Sequence, residues 1–286
     1  MIRKKVIVAG ASGQLGKSIQ QLSENAKDID FTFMDSKVLD ITNKLEIKNL
    51  FNSTHFDYCI NCAAYTAVDR AEQDQEKAYE VNVVGVKNLA ELCEIKNIVL
   101  IHISTDFVFD GNKNKPYGED DKANPTSIYG LTKLKGENEV KSILSNYFII
   151  RTSWLYSEYG NNFVKTMLRI SNEKDTLEII NDQIGSPTYA KDLAKIIIKI
   201  IKEKNVNYGL FHYSNEGAVS WYDFAKAIFE TKNVDVDIKA ISTSSYKTLA
   251  KRPHFSVLNK NKIKNILKVN VPYWKVSLKE CLDKID

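Results

Sequence analysis

Tyr129 and Lys133 stand four residues apart in the run Ser127-Ile128-Tyr129-Gly130-Leu131-Thr132-Lys133, which reads as the start of a helix. Residues four apart share a helix face, so a phenol and an ammonium can point into one pocket. A cation favours the phenolate, so this spacing predicts that Tyr129 exchanges its proton nearer neutrality than a free phenol at about 10. Such a pair suits proton transfer to or from a carbonyl or alcohol oxygen. In a Lys-rich chain the plain alternative is an aromatic ring packed under a lysine stem. The pair gains meaning only if a cofactor site lies upstream.

The segment Lys4-Lys5-Val6-Ile7-Val8-Ala9-Gly10-Ala11-Ser12-Gly13-Gln14-Leu15-Gly16 reads as a strand, a glycine turn and a helix start. Glycines let backbone approach a pyrophosphate, and a helix N-terminus offers unpaired N–H donors at the positive end of its dipole. The spacing is G-x-x-G-x-x-G rather than G-x-G-x-x-G. A second run, Phe31-Thr32-Phe33-Met34, ends in Asp35. It lies about 20 residues after the last glycine, where an acid would bond a ribose 2′-hydroxyl and repel a 2′-phosphate, which tilts the reading toward NADH over NADPH. The plain alternative is that Asp35 caps a turn.

These groups need a sheet to hold them. Apolar runs at 5–9, 31–34, 58–63, 98–104 and 147–153 alternate with helical patterns near 14–24, 43–52, 76–94 and 127–144. The alternation implies an α/β, Rossmann-type doubly wound parallel sheet covered on both faces. After residue 154, short strands (177–181, 209–214, 236–241) mix with helices (161–171, 190–203, 220–230, 273–285). This is expected to be a smaller α+β substrate-binding portion, 155–286, stacked on a dinucleotide-binding domain, 1–154, with a stretch of about 177–205 returning to the latter. Trp154, Tyr156 and Asn162, near the junction, are candidates to line a cleft.

The 286 residues are 43% hydrophobic, which is ample for a large core. The net charge of +4 is spread through Lys with no basic patch interleaved with aromatics, which argues against nucleic acid. No apolar stretch approaches the ~18 residues of a membrane span, and the N-terminal run reads as a strand rather than a signal peptide, so the expectation is a cytoplasmic protein off the membrane. Cys59 and Cys62 lie in a strand-like run, where residues three apart face opposite sides; with Cys93 and Cys281 they read as reduced core thiols. The four histidines show no metal-ligand spacing, so no metal site is expected.

Ile101-His102-Ile103-Ser104-Thr105-Asp106-Phe107-Val108-Phe109-Asp110-Gly111 puts a Ser/Thr pair at a strand end. With Tyr129 and Lys133 this run resembles the extended short-chain dehydrogenase/reductase superfamily. Within it the chain is similar to the dTDP-4-dehydrorhamnose reductase family. Narrower marks of that family are Thr66–Glu72, Thr105–Gly111, Trp154 and Arg252-Pro253-His254-Phe255-Ser256-Val257-Leu258-Asn259.

The resemblance implies NAD(P)H-dependent reduction of a C4 keto group on a dTDP-linked 6-deoxy sugar. Gly10, Gly13, Gln14, Leu15 and Gly16 would form the phosphate turn, and Asp35 would hold the adenosine ribose. Asp40 and Ile41 would flank the adenine, and Ala63, Ala64, Tyr65 and Thr66 would line the cofactor. Tyr129 would be the acid, with Lys133 on the nicotinamide ribose and lowering the phenol. Thr105 would bond the substrate carbonyl, with Asp106 and Phe107 beside it. Trp154 would pack on the sugar, Asn162 would line its site and Arg252 would meet the diphosphate. Phe107 stands where the family often has tyrosine. Some family members are described with Mg2+ at a homodimer contact, and no carboxylate cluster here obliges it. Two other readings stay open: a 4,6-dehydratase or 4-epimerase that recycles its NAD+, and a non-catalytic regulatory subunit of the kind related to methionine adenosyltransferase.

Overall fold

The computed structural model describes residues 3–285. The β-branched run predicted at the N-terminus forms β1 (Lys4–Ala9), and the glycine turn leads into α1 (Gln14–Ser23) and β2 (Ile29–Met34). Then come α2 (Lys44–Ser53), β3 (Tyr58–Asn61), α3 (Val68–Ala71) and α4 (Gln75–Tyr79). One π-helical turn, Glu80–Val84, joins α4 to α5 (Gly85–Lys96). The single helix expected over 76–94 is thus interrupted, because Asn82 in the widened turn is drawn to the loop after β3: its Oδ1 accepts from the Tyr65 amide at 2.9 Å. Next are β4 (Val99–Thr105), α6 (Ile128–Ile143) and β5 (Tyr147–Thr152).

The remainder holds β6 (Leu155–Tyr156), α7 (Phe163–Ser171), β7 (Thr176–Ile180), β8 (Ile184–Gly185) and β9 (Thr188–Tyr189). After them come α8 (Ala190–Lys202), β10 (Gly209–His212), β11 (Val219–Ser220), α9 (Trp221–Lys232), β12 (Asp237–Ile241), α10 (Asn261–Leu267) and α11 (Trp274–Leu282). The two-residue strands, α3 and α10 are too short to leave a period in the sequence.

The main sheet has the order β10-β5-β4-β3-β1-β2 with every pair parallel. The strands are apolar on both faces because both are covered. Val6, Val8, Ile60, Ile101 and Ile150 face α1 and the isoleucine-rich α8. Ile7, Cys59, Leu100 and Ile149 face α2, α5 and α6. The chain reverses direction across the sheet between β1 and β3, the crevice where such folds bind ligands.

Of the stretch 177–205, α8 packs on α1, and the strand that joins the sheet is β10, beside β5. Residues 176–180 instead pair with β12, outside the main sheet, with Leu177 and Ile179 in a separate core around Phe224 and Trp274. Tyr156 belongs to that core, stacked on Tyr189 with ring centroids 5.6 Å apart, and so does not line the cleft. The four cysteines are free thiols. Among the described residues no helix is long and apolar enough to cross a membrane.

Candidate active site

A cleft of about 620 Å³ opens between the ends of β1, β3, β4 and β5 and the segments after residue 152. That size suits a small-molecule ligand. One wall is the glycine turn. Gly10 has φ +76°, and a Cβ there would lie 2.5 Å from the Ala63 amide nitrogen, so only glycine lets the β1 and β3 ends meet. A Cβ on Gly16 would lie 2.6 Å from Ala11 Cα, so the helix packs directly on the turn. Gly13 caps α1 with no side-chain oxygen on the first amides, which leaves them for an anion. This cradle fits a dinucleotide phosphate.

The opposite floor is the meeting of α6 with the end of β4. Ser127 Oγ accepts from the Gly130 amide at 3.2 Å and starts the helix. The first two turns then lay Tyr129 and Lys133 on the buried face. Lys133 Nζ donates to the Ile103 carbonyl at 2.7 Å. Burial brings the Lys133 ammonium down to about 8, against the pull of Glu137. The Tyr129 ring meets Phe107 edge-on, with centroids 5.5 Å apart.

The spacing argument for a lowered phenol fails here. Burial pushes Tyr129 up to about 12; the Thr105 hydroxyl beside it draws it partly back and the Asp106 carboxylate adds to the rise. Lys133 spends a hydrogen bond on strand backbone, and burial decides the direction. Tyr129 is therefore a neutral phenol at neutral pH, an acid rather than a base.

Thr105 Oγ1 donates to Asp106 Oδ1 at 3.1 Å and accepts from the Phe107 amide at 3.2 Å. Asp106 is almost wholly buried and its Oδ2 has no hydrogen-bond partner. Burial lifts its carboxyl to about 6, against the pull of the nearby Ser256 and Thr105 hydroxyls and of the Asp106 and Phe107 amides.

Gln14, Leu15, Ala64, Thr66, Trp154, Asn162 and Arg252 also reach the cleft. Their contacts differ from the sequence expectation in three cases. Gln14 Oε1 accepts from Ser157 Oγ at 3.0 Å and Asn162 Nδ2 at 2.9 Å, tying the glycine turn to the C-terminal segments. Asn162 Oδ1 caps α7, so both ends of that side chain serve the protein itself. Arg252 pairs with Asp69 through Nη2 to Oδ2 at 2.6 Å and Nη1 to Oδ1 at 3.3 Å. Burial works against the Asp69 charge, yet Arg252 and the Ala250 and Leu249 amides hold its carboxyl below the usual range.

Asp35, Asp40, Ile41, Ala63 and Tyr65 do not line this cleft. Asp35 Oδ1 accepts from the Lys37 and Val38 amides at 2.9 and 3.2 Å, the turn cap that was its plain alternative. Asp40 Oδ1 likewise holds the Thr42 amide and hydroxyl, each at 2.9 Å. Ile41 is buried against Gly85, and Tyr65 donates to Asp74 Oδ2 at 3.2 Å. Among the described residues no group of three His, Cys, Asp or Glu could hold a metal ion.

Two features escaped the sequence reading. Trp221 stacks on Trp154, and nothing in the primary structure links residues so far apart. Glu137 continues the Tyr129–Lys133 face one turn further, a spacing that was legible.

A family model described as RmlD substrate binding domain matches residues 4–286. A dTDP-4-dehydrorhamnose reductase of Aggregatibacter actinomycetemcomitans is 42% identical over 96% of this chain and 97% of its own length. The crystal structure of a dTDP-4-dehydrorhamnose reductase of Clostridium acetobutylicum is 44% identical, with a TM-score of 0.93 over 98% of both chains. A Bacillus anthracis dTDP-4-dehydrorhamnose reductase, solved in complex with NADP, is 40% identical with a TM-score of 0.95 over 99% of both. Glycine turn, buried Tyr-Lys face and full-length similarity agree: the chain belongs to the dTDP-4-dehydrorhamnose reductase family.

Proposed function

We propose that this chain reduces the C4 keto group of dTDP-4-dehydro-6-deoxy-L-mannose to dTDP-L-rhamnose with NADH or NADPH. The observation that carries the reading is the Tyr129 phenol, buried beside the Thr105 hydroxyl on the floor of a cleft walled by the glycine turn. The reading divides the chain into a dinucleotide-binding part, 1–154 with α8 and β10 returning to it, and a substrate-binding part in the rest of 155–286.

Gly13, Gln14 and Leu15 would hold the dinucleotide phosphates, Ala64 and Thr66 its flank, and Lys133 its nicotinamide ribose. When bound, the reduced nicotinamide supplies a hydride to C4. Tyr129 gives its phenolic proton to the oxygen as negative charge develops there. Thr105 turns its hydroxyl proton from Asp106 toward the same oxygen and stabilises that charge. A phenol at about 12 remains a stronger acid than a sugar alcohol, so the transfer runs downhill. Trp154 offers a face for the sugar, and Arg252 lies where a diphosphate would compete with Asp69.

The test supplies dTDP-4-dehydrorhamnose with NADH and NADPH in parallel and follows nicotinamide absorbance. One reduced nicotinamide consumed per sugar is the expected result. Oxidation of neither would overturn the reading, and a product formed with no net oxidation would indicate a dehydratase or epimerase.

A further inference from the structure

Two consecutive residues at the end of β4 are bonded by two residues on one face of α6, and a third on that face lies beside the next strand residue. The Ile103 carbonyl takes Lys133 Nζ at 2.7 Å. Ser104 Oγ donates to Glu137 Oε1 at 2.6 Å. Thr105 lies at the Tyr129 hydroxyl. Tyr129, Lys133 and Glu137 are spaced four apart and so share the helix face that meets the end of β4.

Glu137 is fully buried and both its oxygens are bonded. Arg151 Nε reaches Oε1 at 2.8 Å and Nη2 reaches Oε2 at 2.7 Å, with Lys141 Nζ at 3.2 Å from Oε2. Arg151 is held in turn from β10. Its Nη1 lies 3.5 Å from His212 Nε2, and His212 Nδ1 bonds the Tyr117 carbonyl at 3.1 Å. The carbonyl accepts, so Nδ1 carries the proton and Nε2 accepts from Arg151. Ser104, Arg151 and His212 are direct neighbours across β4, β5 and β10. A polar row thus crosses the sheet face that also carries the Asn61–His102 pair and ends under the helix of Tyr129.

We infer that Glu137 is a positioning residue for the proposed reduction: its carboxylate, seated on Ser104 and Arg151, fixes α6 against the end of β4 and sets a negative charge one turn from Lys133. The inference rests on the reductase reading. A buried ion pair seldom adds net stability over an apolar pair, so its retention beside the reacting groups calls for another account. The groups facing Lys133 are Cys62 after β3, His102 on β4 and Glu137 on α6; those facing Glu137 are Ser104 on β4, Lys133 and Lys141 on α6, Tyr147 and Arg151 on β5 and His212 on β10. Glu137 holds the Lys133 ammonium charged against burial.

The test measures the pH dependence of NADPH binding, by nicotinamide fluorescence, and of kcat. It compares wild type, Glu137→Gln, the double variant Glu137→Leu/Arg151→Met, and Ser104→Ala. In wild type both quantities fall as pH rises past about 8, where Lys133 loses its proton. Without the Glu137 charge that fall should begin at least about half a pH unit earlier. Ser104→Ala keeps the charge and cuts the clasp, so its alkaline fall stays in place while kcat drops roughly tenfold with KM nearly unchanged. A folded double variant with the wild-type alkaline fall and kcat overturns the inference. If neither Glu137 variant folds, Ser104→Ala decides, and wild-type turnover from it overturns the clasp. An inactive wild type would sink the reductase reading instead, and the binding titration would still report on Lys133.

Discussion

Trp154 lies flat on Trp221, with ring centroids 3.4 Å apart and planes 7° from parallel. Trp154 reaches that position with a left-handed backbone, φ +47°, a conformation that costs a non-glycine residue about 1–3 kcal/mol. Gly185 makes room, since a Cβ there would lie 2.5 Å from the indole. Strain held in place beside a cleft points to a binding face. Aromatic stacking contributes about 0.5–1.5 kcal/mol, so Trp154→Ala should raise KM for the sugar nucleotide roughly three- to tenfold and leave kcat within about threefold. Near-UV circular dichroism should lose the coupled indole signal in Trp154→Ala and Trp221→Ala alike. An unchanged KM would remove Trp154 from the sugar site.

Asp106 makes a pH prediction about stability. Its folded value of about 6 lies above that of an unfolded carboxyl, so the native state binds the proton more tightly. The resulting stability is full below the unfolded value and is lost as pH rises through about 6. Asp106→Asn should therefore unfold at higher urea than wild type at about pH 8, by roughly 2–3 kcal/mol, and the gain should vanish near pH 4. Equal midpoints at the higher pH would mean the carboxylate is better solvated than its burial implies.

Asp35 bears on the choice of dinucleotide. Its Oδ1 is engaged by the turn amides, yet the charge remains at the end of β2. Two unit charges about 4 Å apart in water interact by about 1 kcal/mol, so Asp35→Ser should raise kcat/KM for NADPH about fivefold relative to NADH. Parallel progress curves with the two dinucleotides read this ratio. No change would leave Asp35 as a turn cap alone.

Arg252 is a cation already in use by Asp69. Should it take the substrate diphosphate, Arg252→Lys loses the two-pronged contact, and inhibition by dTDP should weaken roughly ten- to hundredfold. Inhibition constants from steady-state kinetics check this. A wild-type constant would confine Arg252 to bridging its own loop to the segment after β3.

Much of this was legible in the sequence because it is local. The glycine turn, the strand-end Ser104 and Thr105, and the Tyr129–Lys133 face are each set by spacing within one or two elements, and the structure brings them to one cleft. The parallel sheet followed from alternating apolar runs. The misses are of two kinds. Arg252 with Asp69, and Trp154 with Trp221, are contacts that only the fold creates, so no window of sequence holds them. The Tyr129 proton affinity went the wrong way because spacing gives neighbours but not burial, nor the carbonyl of Ile103 that occupies Lys133. Asp35 and Asp40 also bond groups within their own turns, contacts that the spacing to the glycines does not reveal.

Gln14 reaches forward to Ser157 and Asn162, and β5 finds its second neighbour only in β10. Folding therefore has to wait for distant chain. A growing polypeptide that ends near residue 152 would carry β5 as an open apolar sheet edge, the kind of surface that recruits other strands. Parallel pairing over such separations is slow, because loop closure must precede the contacts that reward it. The cleft draws on both halves of the chain, so it cannot be complete before the segments after residue 152 have docked.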